Sequence, residues 1–132
     1  MFSRTSPVGE LLSSDQFHFR NIAVIGLGAG MLSIYTRPDQ TMDYYELDPD
    51  VYTLAKKYFT FLENAQGKIH FIYGDARQTL AKAAGKRYDL LIVDAFGGDS
   101  IPFHLLTVEA LNLYIAHLNH GGILMFHISN RY

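Results

Sequence analysis

The 132-residue sequence contains no cysteine, no tryptophan and only four prolines. Without cysteine, the chain can form neither a disulfide framework nor a thiolate metal site, and it has no cysteine nucleophile. It also lacks a run of lysine or arginine, and no uninterrupted apolar segment approaches the roughly 18–20 residues that span a bilayer. We therefore expect no nucleic-acid partner and no membrane contact by this chain.

Apolar residues are abundant, at 48% of the chain, and charged residues make up 18%. This composition excludes a disordered or low-complexity chain and predicts one domain with a buried core. The formal net charge is −2, from 11 basic and 13 acidic residues. Because the N-terminus lacks the apolar core of a signal peptide and no apolar run is long enough to span a bilayer, we expect a cytoplasmic protein, with a membrane tether open only as part of a longer protein.

Short apolar runs alternate regularly with longer amphipathic segments. A short helix at 29–35 and three longer ones, beginning after Asp48, Asp75 and Thr107, separate the predicted strands. The predicted strands are Asn21–Ile25, Thr41–Glu46, Lys68–Tyr73, 89–94 and 123–129. This alternation is typical of an α/β fold: a Rossmann-like open parallel sheet in three layers, with helices on both faces. The fourth strand is the most apolar and should be interior. The chain stops just after the fifth strand, where many such domains continue, so we expect a sheet truncated there, and a fragment and a trimmed chain are both open.

Glycines and acids cluster where the predicted strands end. Ligands of such sheets bind beyond the carboxyl ends of the strands. The residues delivered there are Gly26, Gly28 and Gly30 after the first strand, Glu46 and Asp48 after the second, Asp75 after the third, and Asp94 and Asp99 after the fourth. The sequence therefore predicts an acidic site at this edge of the sheet.

The glycine spacing argues against a nicotinamide dinucleotide. Dinucleotide-binding proteins have the pattern G-x-G-x-x-G, and Met31 stands at the position of its third glycine. Acidic residues also crowd the site where the pyrophosphate would lie. Adenosine carrying a positive sulfonium suits these acids better. Glu46, 18 residues after Gly28, can accept hydrogen bonds from ribose hydroxyls, although a solvated strand-end acid would look the same.

The other acids have alternative interpretations. Asp48 is better explained as a helix cap, and Asp75 either caps the next helix or receives the adenine amino group. Asp94 follows a buried strand, where a carboxylate is costly without a partner, so we expect it to be functional. The six histidines show no metal-ligand spacing, and no metal site is expected. His104 lies either in the site or at a packed helix entry.

Several motifs, in order, resemble those of the spermidine synthase superfamily, and most closely its bacterial spermidine synthase-like branch, whose members are often fused to membrane-spanning segments. They are Gly26-Leu27-Gly28-Ala29-Gly30, Tyr45-Glu46-Leu47-Asp48-Pro49, Gly74-Asp75-Ala76-Arg77, Val93-Asp94-Ala95-Phe96, the stretch 99–107, and His127-Ile128-Ser129-Asn130-Arg131-Tyr132. The resemblance covers residues 21–132 and implies the nucleoside-binding sheet of class I S-adenosylmethionine methyltransferases. Residues 1–20 would be the tail of an otherwise missing N-terminal β domain.

The resemblance implies a pocket for decarboxylated S-adenosylmethionine, or for S-adenosylmethionine itself, as co-substrate. Glu46 would bind the ribose, Asp75 and Ala76 the adenine, and Asp94 would be the first acid of the catalytic loop. A small-molecule amine would be aminopropylated, as in polyamine biosynthesis. Because the attacking amine must lose a proton, either Asp94 or Asp99 would accept it.

Two departures from the family pattern keep other functions open. Ala29 stands where synthases usually carry an aspartate, and the second loop acid is five positions after the first instead of three. A methyltransferase of unknown acceptor and a non-catalytic nucleoside-binding or assembly module are the alternatives. An unpaired last strand further predicts pairing with a second copy of the chain.

Overall fold

The computed structural model describes residues 6–27, 30–94 and 102–127 and contains one five-stranded sheet. All described neighbouring strands are parallel, in the order β3-β2-β1-β4-β5. The strands are β1 (Asn21–Ile25), β2 (Thr41–Glu46), β3 (Lys68–Tyr73), β4 (Tyr88–Val93) and β5 (Leu118–Phe126). The predicted open parallel sheet is confirmed, and strand order reverses between β1 and β4.

Helices cover both faces of the sheet, as expected for three layers. They are α1 (Pro7–Ser13), α2 (Pro49–Tyr58), α3 (Ala76–Lys82) and α4 (Val108–Ala116). One core joins α1 and α2 to one face, through residues such as Val8 and Ala55. The other core joins α3 and α4 to the opposite face, through Leu80 and Tyr114.

The predicted helix starts are confirmed by side-chain caps. Asp48 accepts a hydrogen bond from the backbone NH of Asp50, and Thr107 accepts one from Ala110. Each cap satisfies an NH group that has no partner within its helix. The predicted helix at 29–35 is, in its described part, a 3-10 turn at Met31–Tyr35.

The central strands are buried on both faces. Residues 22–25 of β1 and 90–93 of β4 are almost fully inaccessible to solvent. Such strands show a continuous apolar run instead of an alternating pattern, which is why β4 could be predicted as interior.

The helical spacing of apolar residues predicts one buried stripe along α2 and another along α4. The structure confirms each stripe only in part. On α2, Ala55 is buried, but Leu54 is 52% exposed and Tyr58 is 65% exposed. On α4, Tyr114 is buried while Ile115 is exposed. Both helices are short and contact the sheet along a narrow line, so the outer members of each predicted stripe face solvent.

The start of the fifth strand was predicted wrongly. It begins at Leu118, not at residue 123, and it includes Gly121 and Gly122 at a bulge. Its pairing register shifts between Tyr88 and Leu90, and Gly121 adopts a positive φ of 74°. The glycines therefore allow an irregular strand between α4 and residue 123.

Helix α1 was not predicted from the sequence. Its side chains Val8 and Leu12 are buried in the core, so residues before the first strand contribute to the packing of this fold. The division into a tail at 1–20 and a domain at 21–132 remains a prediction. Among the described residues, no helix combines the length and apolar character needed to cross a membrane.

Candidate functional site

A cleft of about 330 Å³ lies at the carboxyl ends of β1, β2 and β4, beside the first turn of α3. This is the edge where strand order reverses, the usual ligand position in open α/β sheets. The described residues that line it are Ile25, Gly26, Tyr45, Glu46, Leu47, Val51, Asp75, Ala76, Asp94, Pro102, His104 and Leu105. Five of the predicted site residues therefore share one cleft.

Glu46 is fixed in place by backbone groups from two sides. Its Oε2 accepts a hydrogen bond from the NH of Leu27 at 2.8 Å, and its Oε1 accepts one from the NH of Asp48 at 3.1 Å. The carboxylate thus bridges the end of β1 and the start of α2. Each carboxylate oxygen can accept more than one hydrogen bond, so Glu46 still has acceptor capacity for ligand hydroxyls.

Asp75 caps α3 and lines the cleft at the same time. Its Oδ1 accepts hydrogen bonds from the NH groups of Arg77 at 2.9 Å and Gln78 at 3.2 Å. Its Oδ2 lies 3.4 Å from Nε2 of His104. The two roles considered for Asp75 are therefore compatible, because one oxygen caps the helix and the other is directed toward His104.

Residues 102–105 form one wall of the cleft and are tied to both neighbouring helices. The Arg77 guanidinium donates a hydrogen bond to the backbone carbonyl of His104 at 3.2 Å. The Tyr114 hydroxyl donates to the carbonyl of Leu105 at 2.9 Å. These bonds place the half-exposed His104 imidazole beside Asp75, so the structure puts His104 in the site.

Asp94 forms a close pair with His127. Its Oδ1 lies 2.7 Å from Nδ1 of His127, and the two side chains are 17% and 35% exposed. Burial raises the pKa of Asp94, and the hydrogen bond and charge of His127 only partly oppose this increase. A carboxyl group with a raised pKa is a better proton acceptor than an ordinary surface aspartate.

Not all predicted site residues lie at the cleft. Gly28 and Asp99 are outside the described residues, and Gly30 is not among the residues that line the cleft. Gly30 has a φ of 73°, and a Cβ atom there would lie 2.7 Å from Cδ2 of Leu62. Gly30 therefore permits close packing between the glycine turn and the segment after α2.

Two described histidines belong to the site more closely than the sequence indicated. The sequence left open whether His104 lies in the site or at a packed helix entry. It did not identify His127 as the partner of Asp94. In a parallel pair, the residues that follow two adjacent strands are neighbours, so the register could have shown this contact. The error in the bounds of β5 concealed it.

The charged groups in the described lining of the cleft are mainly acidic. Glu46, Asp75 and Asp94 contribute carboxylates, whereas none of the described lining residues is lysine or arginine. Such a surface favours a ligand that carries positive charge and hydrogen-bond donors. Within the described part of the chain, no three or more histidine, aspartate or glutamate side chains are grouped so as to hold a metal ion.

Sequence comparison relates the chain to two kinds of transferase. It is 37% identical to a polyamine aminopropyltransferase of Vibrio vulnificus, over 79% of this chain and 36% of that protein. It is 29% identical to a protein of Mycobacterium sp. strain KMS that is provisionally named an O-methyltransferase, over 93% of this chain and 56% of that protein. The chain thus spans about one third of the first relative and somewhat more than half of the second. No protein-family model matches it.

Solved structures show the same fold at low sequence identity. An O-methyltransferase family protein from Burkholderia thailandensis superposes with a TM-score of 0.63 and 15% identity, over 90% of this chain and 36% of that one. The cofactor-bound protein Rv0187 from MTB superposes with a TM-score of 0.66 and 21% identity, over 89% of this chain and 51% of that one. The fold is therefore that of the class I methyltransferases.

Proposed function

We propose that this chain is an aminopropyltransferase that binds decarboxylated S-adenosylmethionine in the cleft. Its sequence is spermidine synthase-like, and its fold is that of the class I methyltransferases. The observation that carries this proposal is the convergence of Glu46, Asp75 and Asp94 on one cleft without a lining lysine or arginine among the described residues. Decarboxylated S-adenosylmethionine has a sulfonium and a primary ammonium but no carboxylate. Its charge therefore complements the described lining of the cleft.

Each part of the nucleoside has a suitable group in the cleft. Glu46 accepts hydrogen bonds from the ribose hydroxyls, and Oδ2 of Asp75 accepts one from the adenine amino group beside Ala76. Backbone contacts already orient both carboxylates, so ligand binding does not have to order them. Gly26, with a φ of 96°, turns the chain sharply at the end of β1 and presents backbone to the ligand.

The proposal assigns the acceptor amine to Asp94. In the transfer, the nitrogen lone pair of the amine attacks the carbon next to the sulfonium, and the carbon–sulfur bond breaks. Its electron pair neutralises the sulfur, and methylthioadenosine leaves. The nitrogen has its lone pair available for this attack because Asp94 first accepts one proton from the ammonium form of the amine. Asp99 remains a second predicted acceptor outside the described residues.

Methyl transfer from S-adenosylmethionine is the second candidate. It is favoured by the mycobacterial relative, which matches 93% of the chain, and by Ala29, which stands where synthases usually carry an aspartate. The carboxylate of S-adenosylmethionine would then lie close to an acidic cleft without a described lysine or arginine to receive it. This electrostatic mismatch is the reason to prefer the decarboxylated co-substrate.

The two candidates release different products, so one experiment separates them. The chain is incubated with each co-substrate and a set of aliphatic diamines, and the products are identified by mass spectrometry. Methylthioadenosine together with an aminopropylated diamine supports the proposal. S-adenosylhomocysteine without methylthioadenosine supports methyl transfer instead.

Binding measurements separate a failed reaction from a missing site. Calorimetry with methylthioadenosine, and with NAD as a negative control, shows whether the cleft takes a nucleoside even if no product forms. Binding of methylthioadenosine without turnover supports a non-catalytic nucleoside-binding module. Failure to bind any adenosine ligand contradicts the proposed site.

The proposal includes a small-molecule amine as partner, a cytoplasmic location and a homodimer. β5 is at one edge of the described sheet, and an unpaired edge strand can pair with a second copy. Light scattering over a range of concentrations tests this part. A single monomeric species at the highest concentration contradicts the homodimer and leaves the proposed reaction unaffected.

A further inference from the structure

The backbone places Asp94 and His127 side by side. Val93 of β4 is in register with Phe126 of β5, and the residues that follow them leave the sheet together. The NH of His127 donates to the carbonyl of Val93 at 2.9 Å, and the NH of Asp94 donates to the carbonyl of Ile25 at 2.8 Å. Backbone hydrogen bonds therefore hold both residues in place independently of the contact between their side chains.

The contact between the two side chains defines which atom carries the proton. An ionised carboxylate only accepts hydrogen bonds, so Nδ1 of His127 is the donor to Oδ1 of Asp94 at 2.7 Å when Asp94 is charged. None of the described residues donates a hydrogen bond to Oδ2 of Asp94. With Oδ1 engaged by the imidazole, Oδ2 is the oxygen that can accept from a ligand.

We propose that His127 is a positioning residue for proton transfer: it orients the Asp94 carboxylate and keeps it ionised, so that Oδ2 is ready to bind the acceptor amine and take its proton. This inference rests on the proposed function for the identity of the amine. The pairing itself and its effect on Asp94 rest only on the geometry of the two strand ends.

Among the described residues, His127 is the neighbour whose hydrogen bond and charge favour ionisation of Asp94. Glu46 and Asp75 line the same cleft and carry like charge, and His104 is associated with Asp75. Tyr44 on β2 is buried with its hydroxyl bonded to Ser33, and burial raises its pKa well above the usual range, so it stays neutral. Removing His127 should therefore make Asp94 harder to ionise.

The test measures the ionisation of Asp94 directly. Carboxyl carbons of aspartate are labelled with ¹³C and titrated by NMR, and Asp94→Asn assigns the resonance. His127→Phe keeps a planar ring without a donor, whereas His127→Asn keeps a neutral NH donor at the position of Nδ1. His120→Phe, at an exposed histidine of the same strand, is the matched control.

We expect the pKa of Asp94 to be higher in His127→Phe than in the unmodified chain, and to return most of the way in His127→Asn. The control His120→Phe should leave it unchanged. An unaltered pKa of Asp94 in His127→Phe, with a circular dichroism spectrum that shows an intact fold, overturns the inference.

Turnover provides the second readout. The acidic limb of the pH profile of kcat/KM should move to higher pH in His127→Phe, with a loss of about 10- to 100-fold near neutral pH, as part of the usual contribution of a general base. A merely structural histidine would lower activity without moving this limb. If the NMR pKa moves as expected but no transfer reaction is found, the pairing stands and the proposed function fails.

Discussion

The buried Asp43 and the partly buried Asp94 have opposite environments. Asp94, at the carboxyl end of β4, has one described hydrogen-bonding side-chain partner, His127. Asp43, within β2 and only 4% exposed, accepts hydrogen bonds from three side chains. The donors are Lys86 at 2.9 Å, Tyr88 at 2.7 Å and His70 at 3.0 Å.

The number of donors decides the direction of each pKa shift. Burial favours the neutral acid at both positions. At Asp43, the hydrogen bonds of Lys86, Tyr88 and His70 and the charge of Lys86 outweigh burial, and the pKa lies below its ordinary value. At Asp94, His127 does not fully offset burial, and the pKa is raised. The fully paired carboxylate stabilises the fold, whereas the partly paired one retains capacity for chemistry.

Asp94→Asn should give the largest effect and separate the two roles most clearly. The amide cannot accept the amine proton, so we expect kcat/KM for the proposed transfer to fall by about 10²- to 10⁴-fold. The free energy of unfolding should not decrease by more than about 0.5 kcal/mol, because the amide oxygen can still accept from His127. Transfer kinetics and urea denaturation of the same preparation check both parts. A strongly destabilised variant would show that Asp94 is structural.

Asp43→Asn should show the reverse pattern. It removes the buried negative charge to which Lys86, Tyr88 and His70 donate hydrogen bonds. We expect a loss of about 2 kcal/mol in the free energy of unfolding. Because Asp43 is not among the residues that line the cleft, the affinity for methylthioadenosine should change less than threefold at a temperature where the variant is folded. Calorimetry and urea denaturation provide the two values, and a large loss of affinity would contradict the separation.

The fold could be predicted from the sequence because the patterns that indicate it are local. The apolar runs of β1 and β4, and the caps at Asp48, Asp75 and Thr107, each depend on residues close together in the chain. Helix α1 was missed because its buried side chains belong to a core that forms only once the sheet is assembled.

The candidate site could be predicted from the sequence only in part. The acids at strand ends identified one side of the cleft, because the position of a strand end follows from its pattern. The partners of those acids lie far away in sequence: His127 is 33 residues from Asp94, and Lys86 is 43 residues from Asp43. Such contacts depend on strand order and exact register, and the bulge in β5 could not be read from the hydrophobic pattern.

Lys86→Met should have a smaller effect than loss of Asp43 itself. The ammonium is the largest single contribution that lowers the pKa of Asp43, but the lysine side chain is 47% exposed and partly screened by solvent. Tyr88 and His70 remain as donors, so we expect a loss of about 1 kcal/mol by thermal or urea denaturation. Lys86→Arg, which keeps the charge, is the control and should retain most of the stability. Equal losses in both variants would show that packing, not charge, is responsible.

The smallest effect is a difference in how stability changes with pH. The pKa of Asp43 is lowered on folding, so its contribution is present above the ordinary value of 3.8 and is lost as pH falls through the lower folded pKa. The pKa of Asp94 is raised on folding, so the folded state binds a proton more tightly, and stability is gained as pH falls from neutral through the folded pKa toward 3.8.

Each variant isolates one of these two contributions. Unfolding free energies are measured in urea from pH 7 down to about pH 3 and subtracted from those of the unmodified chain, so that other titrating groups cancel. Relative to Asp94→Asn, the unmodified chain should become more stable as the solution is acidified from pH 7. Relative to Asp43→Asn, its advantage should persist to pH 4 and shrink only below the ordinary aspartate range. If the two differences in unfolding free energy changed in the same direction on acidification, the pKa shifts of Asp43 and Asp94 would have the same sign. That result would contradict the contrast between the two aspartates.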